Sequence, residues 1–303
     1  MADKKRIQQL EKIGYRFVGK NKHSAIKICE WTREAIRKPS RYCYKQKFYG
    51  INSHRCLQMS PAVFSCTHNC LFCWRTAKFT GKWKGPADKS KEILDQAIAE
   101  QIKILQGFWG GKCDKQKLRE AMKPNQVAIS LVGEPCLYPK LPKLIDEIKS
   151  RDMTAFLVSN GTVPEMVKKL TKHQPTNMYI TLAAPDERTY KKTCKPLIKD
   201  GWQRIQKSLA MLKGFDRSVI RLTLAKELNM VNPEEYAKII EEAGPGFVEV
   251  KAFMPVGGSV ERLPYKAMPL HSEIRDFAKA IEKTSSYKIK DAKEDSRVVL
   301  LSR

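Results

Sequence analysis

The 303 residues predict an α/β fold, an open or partial (βα)6 barrel with a basic, largely helical segment placed ahead of it. Three observations carry this: short apolar strands recur about six times, amphipathic stretches separate them, and parallel neighbours need such crossovers. Six units are too few for a complete eight-stranded barrel. In either an open or a partial barrel, the working residues lie at the C-terminal ends of the strands.

The strands are expected at 61–65, 127–132, 154–158, 178–182, 219–224 and 247–253. Between them, Leu94, Ile98, Ile102 and Leu105 make one stripe of a helix over 92–106. Thr162 and Glu165 have capping-box spacing ahead of Met166, Val167 and Leu170. Asn232, Pro233 and Gly244 read as the cap, first turn and stop of another helix. The stretch SAIKICEWTREAIRK has helical character. The expected organisation is an N-terminal helical layer over 1–55, the barrel over 56–285 and an extension over 286–303.

Composition narrows the function. The N-terminus is charged and carries no apolar signal region, and no apolar run has membrane-spanning length, so a cytoplasmic protein is expected. In a reducing compartment nine cysteines suggest metal or redox chemistry more than disulfides. A formal net charge of +25 points to a polyanionic partner, nucleic acid above all. Residues 1–55 hold fifteen Lys and Arg against four Asp and Glu, and residues 188–217 hold nine against two. Lys191, Lys192, Lys195 and Lys199 are candidate phosphate contacts, with Tyr190 or Trp202 as stacking surfaces.

Cys66, Cys70 and Cys73 form C-x3-C-x2-C directly after the first expected strand. Structural zinc prefers four closed ligands, whereas a 4Fe-4S cube held by three thiolates keeps one iron open. With Phe72 before the third cysteine, the motif resembles that of radical S-adenosylmethionine enzymes, whose fold is a partial (βα)6 barrel. The resemblance implies that the open iron binds S-adenosylmethionine and that cleavage yields a 5′-deoxyadenosyl radical. Gly133, Glu134 and Pro135 resemble the superfamily's GGE loop, with Val132 replacing its first glycine. Ser159 and Asn160 end the third strand on the same rim and are further cofactor candidates, although Asn-Gly also makes a plain turn. The glycines of MPVGGS at 254–259 serve either the adenine or a turn.

Cys29, Cys43 and Cys56 are spaced C-x13-C-x12-C, which by itself is no metal motif. The stretch 43–74, with Cys29 before it and KTCKPLIKDGW at 193–202, is similar to the wyosine-pathway tRNA enzymes that make 4-demethylwyosine, in archaeal single-domain form. That similarity implies condensation of pyruvate with N1-methylguanosine beside the anticodon of phenylalanine tRNA. It further implies a second 4Fe-4S cluster on Cys29, Cys43 and Cys56, and a pyruvate Schiff base on Lys45. Spacing alone does not separate Lys45 from Lys47. Eukaryotic relatives carry an FMN domain whose phosphate site is not seen here, so an external electron donor is expected.

Cys113, Cys136 and Cys194 have no partner at ligand spacing and read as ordinary thiols, while His54 and His68 read as supporting or surface residues. Two alternatives remain at this point. One is another radical RNA-modifying enzyme, a methyltransferase or methylthiotransferase; the other is a non-catalytic iron-sulfur RNA-binding protein.

Overall fold

The computed structural model describes residues 4–38, 40–75 and 79–303. It consists of two compact units, Met1–Ser65 with Lys82–Val158, and Cys66–Gly81 with Ser159–Arg303.

In the first unit α1 (Lys4–Lys12) precedes a hairpin of β1 (Arg16–Val18) and β2 (Ser24–Ile26). Then follow α2 (Glu30–Arg37), α3 (Tyr44–Tyr49), β3 (Cys56–Ser60), α4 (Ser90–Gln106), α5 (Lys115–Ala121), β4 (Gln126–Ile129), α6 (Leu141–Lys149) and β5 (Thr154–Ser159). The strand order is β1-β2-β3-β4-β5. Leu57, Val127 and Ala155 stand side by side in the parallel set β3, β4 and β5. These strands are buried almost throughout, as parallel strands covered on both faces must be. Ile93, Leu94 and Ala97 of α4 and Leu144, Ile145 and Ile148 of α6 are buried with them.

In the second unit come α7 (Pro164–Leu170), β6 (Asn177–Thr181), α8 (Glu187–Cys194), α9 (Gly201–Ala210), β7 (Ser218–Leu224), α10 (Pro233–Ala243), β8 (Phe247–Ala252), α11 (His271–Lys283), β9 (Lys288–Lys293) and β10 (Val298–Ser302). Here β6, β7 and β8 are parallel, and β10 then β9 add antiparallel beside β8. The outer strand β9 carries Lys288, Lys290 and Lys293, charges that discourage pairing with another chain. Six parallel strands result, three in each unit, as the periodicity predicts.

Four local expectations change. The first parallel strand is 56–60, not 61–65, because Pro61 has no N–H to extend the ladder and the register with β4 ends at Met59 and Ile129. Five residues therefore separate β3 from Cys66. Ser24–Ile26 is a strand, so the N-terminal layer is mixed, and its helix begins only at Glu30. No capping box forms at Thr162: Val163 takes the cap position, while the Thr162 hydroxyl bonds Asn160 and Thr67. Asn232 does precede α10, in left-handed conformation and without a side-chain cap bond, and Gly244 ends it at φ +56°.

Within the second unit Glu249, fully buried on β8, accepts a hydrogen bond from Arg221 Nε of β7 at 2.9 Å. Arg221→Met removes a charged donor from that buried carboxylate and is expected to cost about 3–5 kcal/mol in urea unfolding, most of it recovered when Glu249→Leu is added.

Candidate functional site

In the second unit the stretch 66–75 is a loop held from several sides. Cys66 N–H bonds Thr80 O at 3.3 Å, Asn69 N–H bonds Cys194 O at 3.0 Å and Leu71 N–H bonds Thr193 O at 2.9 Å. Arg262 donates to the carbonyls of Leu71 (3.3 Å), Arg75 (3.1 Å) and Cys73. Gly257, at φ +58°, comes so close to this loop that a Cβ there would lie 2.2 Å from Trp74 O. Gly258 N–H bonds the same oxygen at 2.9 Å. The glycines at 257–258 therefore serve a close backbone approach.

The three cysteines lie on this loop, Cys66 buried and Cys70 and Cys73 partly so. Asn160 points its amide N–H at Cys66 Sγ (3.7 Å) and Thr67 Oγ1 (2.9 Å), while its Oδ1 accepts from Thr162. A donor aimed at sulfur suits a thiolate, and three sulfurs on one loop match a three-cysteine cluster. The Cys70 thiol is held well above its ordinary pKa, first by its bond to Cys194, then by burial and the neighbouring thiols. Ser159 uses its hydroxyl to accept from Gly161 N–H at 3.0 Å. Phe72, with Leu71, packs on Ala225, Leu228, Phe253 and Met268.

In the first unit the loop after β4 is fixed by close approach. Gly133 has φ +74°, and a Cβ there would lie 1.8 Å from Ala62 O and 2.7 Å from Ser65 O. Glu134 N–H bonds Ser65 O at 2.7 Å, its side chain is buried, and Oε1 accepts from Cys136 N–H at 2.9 Å. The glycine and the glutamate thus lock this loop to the backbone just before Cys66. Pro135 starts the short 3-10 turn that follows.

The same unit gathers Cys29, Cys43, Cys56 and Lys45. Cys29 immediately precedes α2, Cys43 precedes α3, and Cys56 opens β3. Burial pushes the Cys29 thiol up, against the backbone N–H groups of Trp31 and Thr32 and the Lys45 charge, which favour the thiolate. Burial raises Cys56 further, with Cys29 and Cys43 adding to it and Lys45 and the Ala128 N–H opposing. Thiols close enough to repel as thiolates, with N–H donors and a cation around them, form a donor set that fits an anionic cluster. Lys45 is only 8% exposed, its Nζ 4.9 Å from the Phe156 ring centre, whereas Lys47 is exposed. Burial thus separates two lysines that spacing leaves alike.

Other expectations shift. Tyr190 is buried against His68, its hydroxyl 2.7 Å from His68 Nε2, so it offers no face to a base; half-buried Trp202 packs beside it. Burial drives His68 down to about 3. Cys194, expected to stand alone, lies against Cys70. His54 is buried and bonded to Glu120 at 2.7 Å. Lys191, Lys192, Lys195 and Lys199 are all exposed, Lys191 paired with Glu187 at 2.8 Å. Sequence reasoning missed Arg262, since nothing near residue 262 marks it as the clamp on a loop almost two hundred residues earlier.

The family profile "Radical SAM superfamily" matches residues 62–243, and "Wyosine base formation" matches residues 242–303. The S-adenosyl-L-methionine-dependent tRNA 4-demethylwyosine synthase of Pyrococcus abyssi is 47% identical over 95% of this chain and 86% of its own length. The chain belongs to the tRNA 4-demethylwyosine synthases. The synthase of Methanocaldococcus jannaschii is 38% identical over 92% of the chain and 90% of its own. A solved structure of TYW1 with a lysine-pyruvate adduct bound superimposes with a TM-score of 0.91 at 36% identity, covering 100% of this chain and 96% of that one. The fold is thus the radical SAM partial barrel, and the chain is an S-adenosylmethionine-dependent, iron-sulfur tRNA-modifying enzyme. Membership in this family sets aside both alternatives raised from the sequence. No helix among the described residues is long and apolar enough to cross a membrane.

The close approach at Gly133 yields a paired test. Gly133→Ala is expected to lose about 1–3 kcal/mol from the left-handed backbone and more from the clash with Ala62 O. Gly50→Ala, at φ +71° with nothing within 4 Å, bears the backbone strain alone. Urea unfolding of the two variants should rank them clearly in that order.

Proposed function

We propose that this synthase joins two carbons of pyruvate to N1-methylguanosine beside the anticodon of phenylalanine tRNA, with C–C cleavage releasing the pyruvate carboxyl carbon and Lys45 holding pyruvate. Cys66, Cys70 and Cys73 would hold the cluster that binds S-adenosylmethionine. Cys29, Cys43 and Cys56 would hold a second one. The observation that carries the reading is Lys45 itself, a buried amine beside three thiols, Cys56 buried and Cys29 and Cys43 partly so. The neighbour with a lysine-pyruvate adduct supports it.

Bound, the first cluster and S-adenosylmethionine supply a 5′-deoxyadenosyl radical, the agent that takes hydrogen from the N-methyl group. A second cluster held by Cys29, Cys43 and Cys56 would position pyruvate or accept an electron. The chain does the rest. Lys45 would attack the keto carbon of pyruvate as its free amine, giving up the proton whose charge favours the neighbouring thiolates, and form a Schiff base with loss of water. Phe156 covers the amine and limits water around it. Asn160, with its amide at the Cys66 sulfur, would steady that thiolate. Phe72, Gly133, Glu134, Pro135 and Ser159 would shape the S-adenosylmethionine site, Glu134 as acceptor for the methionine ammonium and Phe72 as apolar backing. The exposed Lys191, Lys192, Lys195 and Lys199 would grip phosphates of the anticodon arm, with electrons arriving from an external donor in the cytoplasm.

Cyanoborohydride trapping with carbon-labelled pyruvate should label the wild type and Lys47→Ala and leave Lys45→Ala unlabelled, while Lys45→Ala still forms 5′-deoxyadenosine. Label on Lys45→Ala would transfer the role to another amine. Cys29→Ala should lower bound iron by about half, since each cube holds four irons. Replacing all four lysines with Ala should weaken tRNA binding and flatten its dependence on salt, measured by filter binding across a salt series.

A further inference from the structure

Residues 67–71 and 193–197 of the second unit run as a short ladder. His68 bridges to Pro196 in antiparallel fashion. Leu197 N–H bonds Thr67 O at 2.8 Å, Asn69 N–H bonds Cys194 O at 3.0 Å and Leu71 N–H bonds Thr193 O at 2.9 Å. This pairing sets Cys70 opposite Cys194 and brings His68 to the same place. One ring nitrogen of His68 and the two sulfurs all lie within 4.8 Å of one another. His68 is 3% exposed and Cys194 2%. The His68 ring is fixed by Tyr190, whose hydroxyl is 2.7 Å from Nε2 and whose ring stands edge-on at 5.3 Å. Ligating histidines are commonly oriented by a partner of this kind.

We infer that His68, Cys70 and Cys194 form a site for a single thiophilic divalent cation, of the zinc class, in the chain before its cluster is in place. Nitrogen and sulfur donors select zinc or cobalt over magnesium or calcium. Metal-ligand bonds of about 2.0–2.3 Å require the three donors to close by about 1 Å, within the reach of small side-chain rotations. On binding, both thiols release their protons to solvent. Two thiolates, a neutral imidazole and a divalent cation then sum to zero charge, and a neutral complex is cheap to bury. The fourth position of the tetrahedron is left to water or an exogenous ligand.

This site shares Cys70 with the three-cysteine loop. On the reading above, that Cys70 is also a cluster thiolate, the two occupations exclude each other. Zinc at His68, Cys70 and Cys194 blocks assembly of the first cluster, and Cys194 is the residue that makes the competing site possible.

The test uses the full chain, purified without iron under reductant and titrated with cobalt. In the wild type, cobalt is expected to give tetrahedral ligand-field absorption with thiolate charge transfer, displaced by zinc. Cys194→Ala and Cys70→Ala should each lose the same equivalent, whereas Cys66→Ala and Cys73→Ala keep it. Cobalt held by Cys29, Cys43 and Cys56 is common to all four variants and drops out of the comparison. Cys194→Ser, which keeps the size of the side chain, should lose the equivalent as well, which guards against a packing defect in the alanine variant. Retention in Cys194→Ala and Cys194→Ser, or loss in Cys66→Ala and Cys73→Ala, overturns the site. Zinc added before reconstitution should lower cluster iron in the wild type and spare Cys194→Ala. Cobalt bound as expected with cluster iron unaffected by zinc would uphold this site and remove Cys70 from the cluster.

Discussion

A cysteine withdrawn from water keeps its proton unless donors or a cation compensate, and this chain buries Cys56 and Cys66 and half-buries Cys29, Cys43, Cys70 and Cys73. Burial raises Cys29 and Cys56; the bond to Cys194 together with burial raises Cys70. Each group carries its own compensation. Backbone N–H groups of Trp31, Thr32 and Ala128 and the Lys45 charge act on the first set, and the Asn160 amide acts on Cys66. At Cys29 and Cys56 these donors and the cation oppose the effect of burial without overcoming it. On the proposal that both sets hold clusters, metal loading and deprotonation are one event, and the free energy of cluster binding becomes free energy of folding for the segments that present the sulfurs.

The same constraint explains which parts of the site were legible in the sequence. Cys66, Cys70 and Cys73 occupy one loop, so their geometry is set by chain connectivity and shows as spacing. Cys29, Cys43 and Cys56 sit at the starts of α2, α3 and β3, and their intervals measure the lengths of those elements rather than any ligand geometry. Only a family resemblance could group them. Cys194 belongs to the opposite extreme, because it meets Cys70 through a ladder between segments more than a hundred residues apart.

The fold was more legible than its boundaries. Parallel strands covered on both faces are continuous apolar runs; four of the six expected strands lie within one residue of those observed, and a fifth starts within one residue but ends three earlier than expected. The first failed because its sequence, CLQMS, mixes polar residues into a buried strand, while the more apolar stretch after it is a loop in which Phe64 stacks on Phe17. Tertiary packing overrode local preference. Similarly, Thr162 had the sequence of a cap but found better partners in Asn160 and Thr67, beside the cysteine loop. The local rule failed at a place where side chains are committed to the site.

A net charge of +25 repels itself, and little in the surface pairing offsets it. Lys191 with Glu187 and Arg204 with Asp200 are exposed pairs one helical turn apart, and solvent screening leaves such pairs weak. Such a pair gives way to a phosphate at almost no loss, so pairing in the free chain does not remove these cations from an RNA-binding surface. Affinity built this way is long-ranged, insensitive to base sequence and screened by salt. Discrimination among tRNAs must then arise where water is excluded and a poor fit leaves polar groups unpaired.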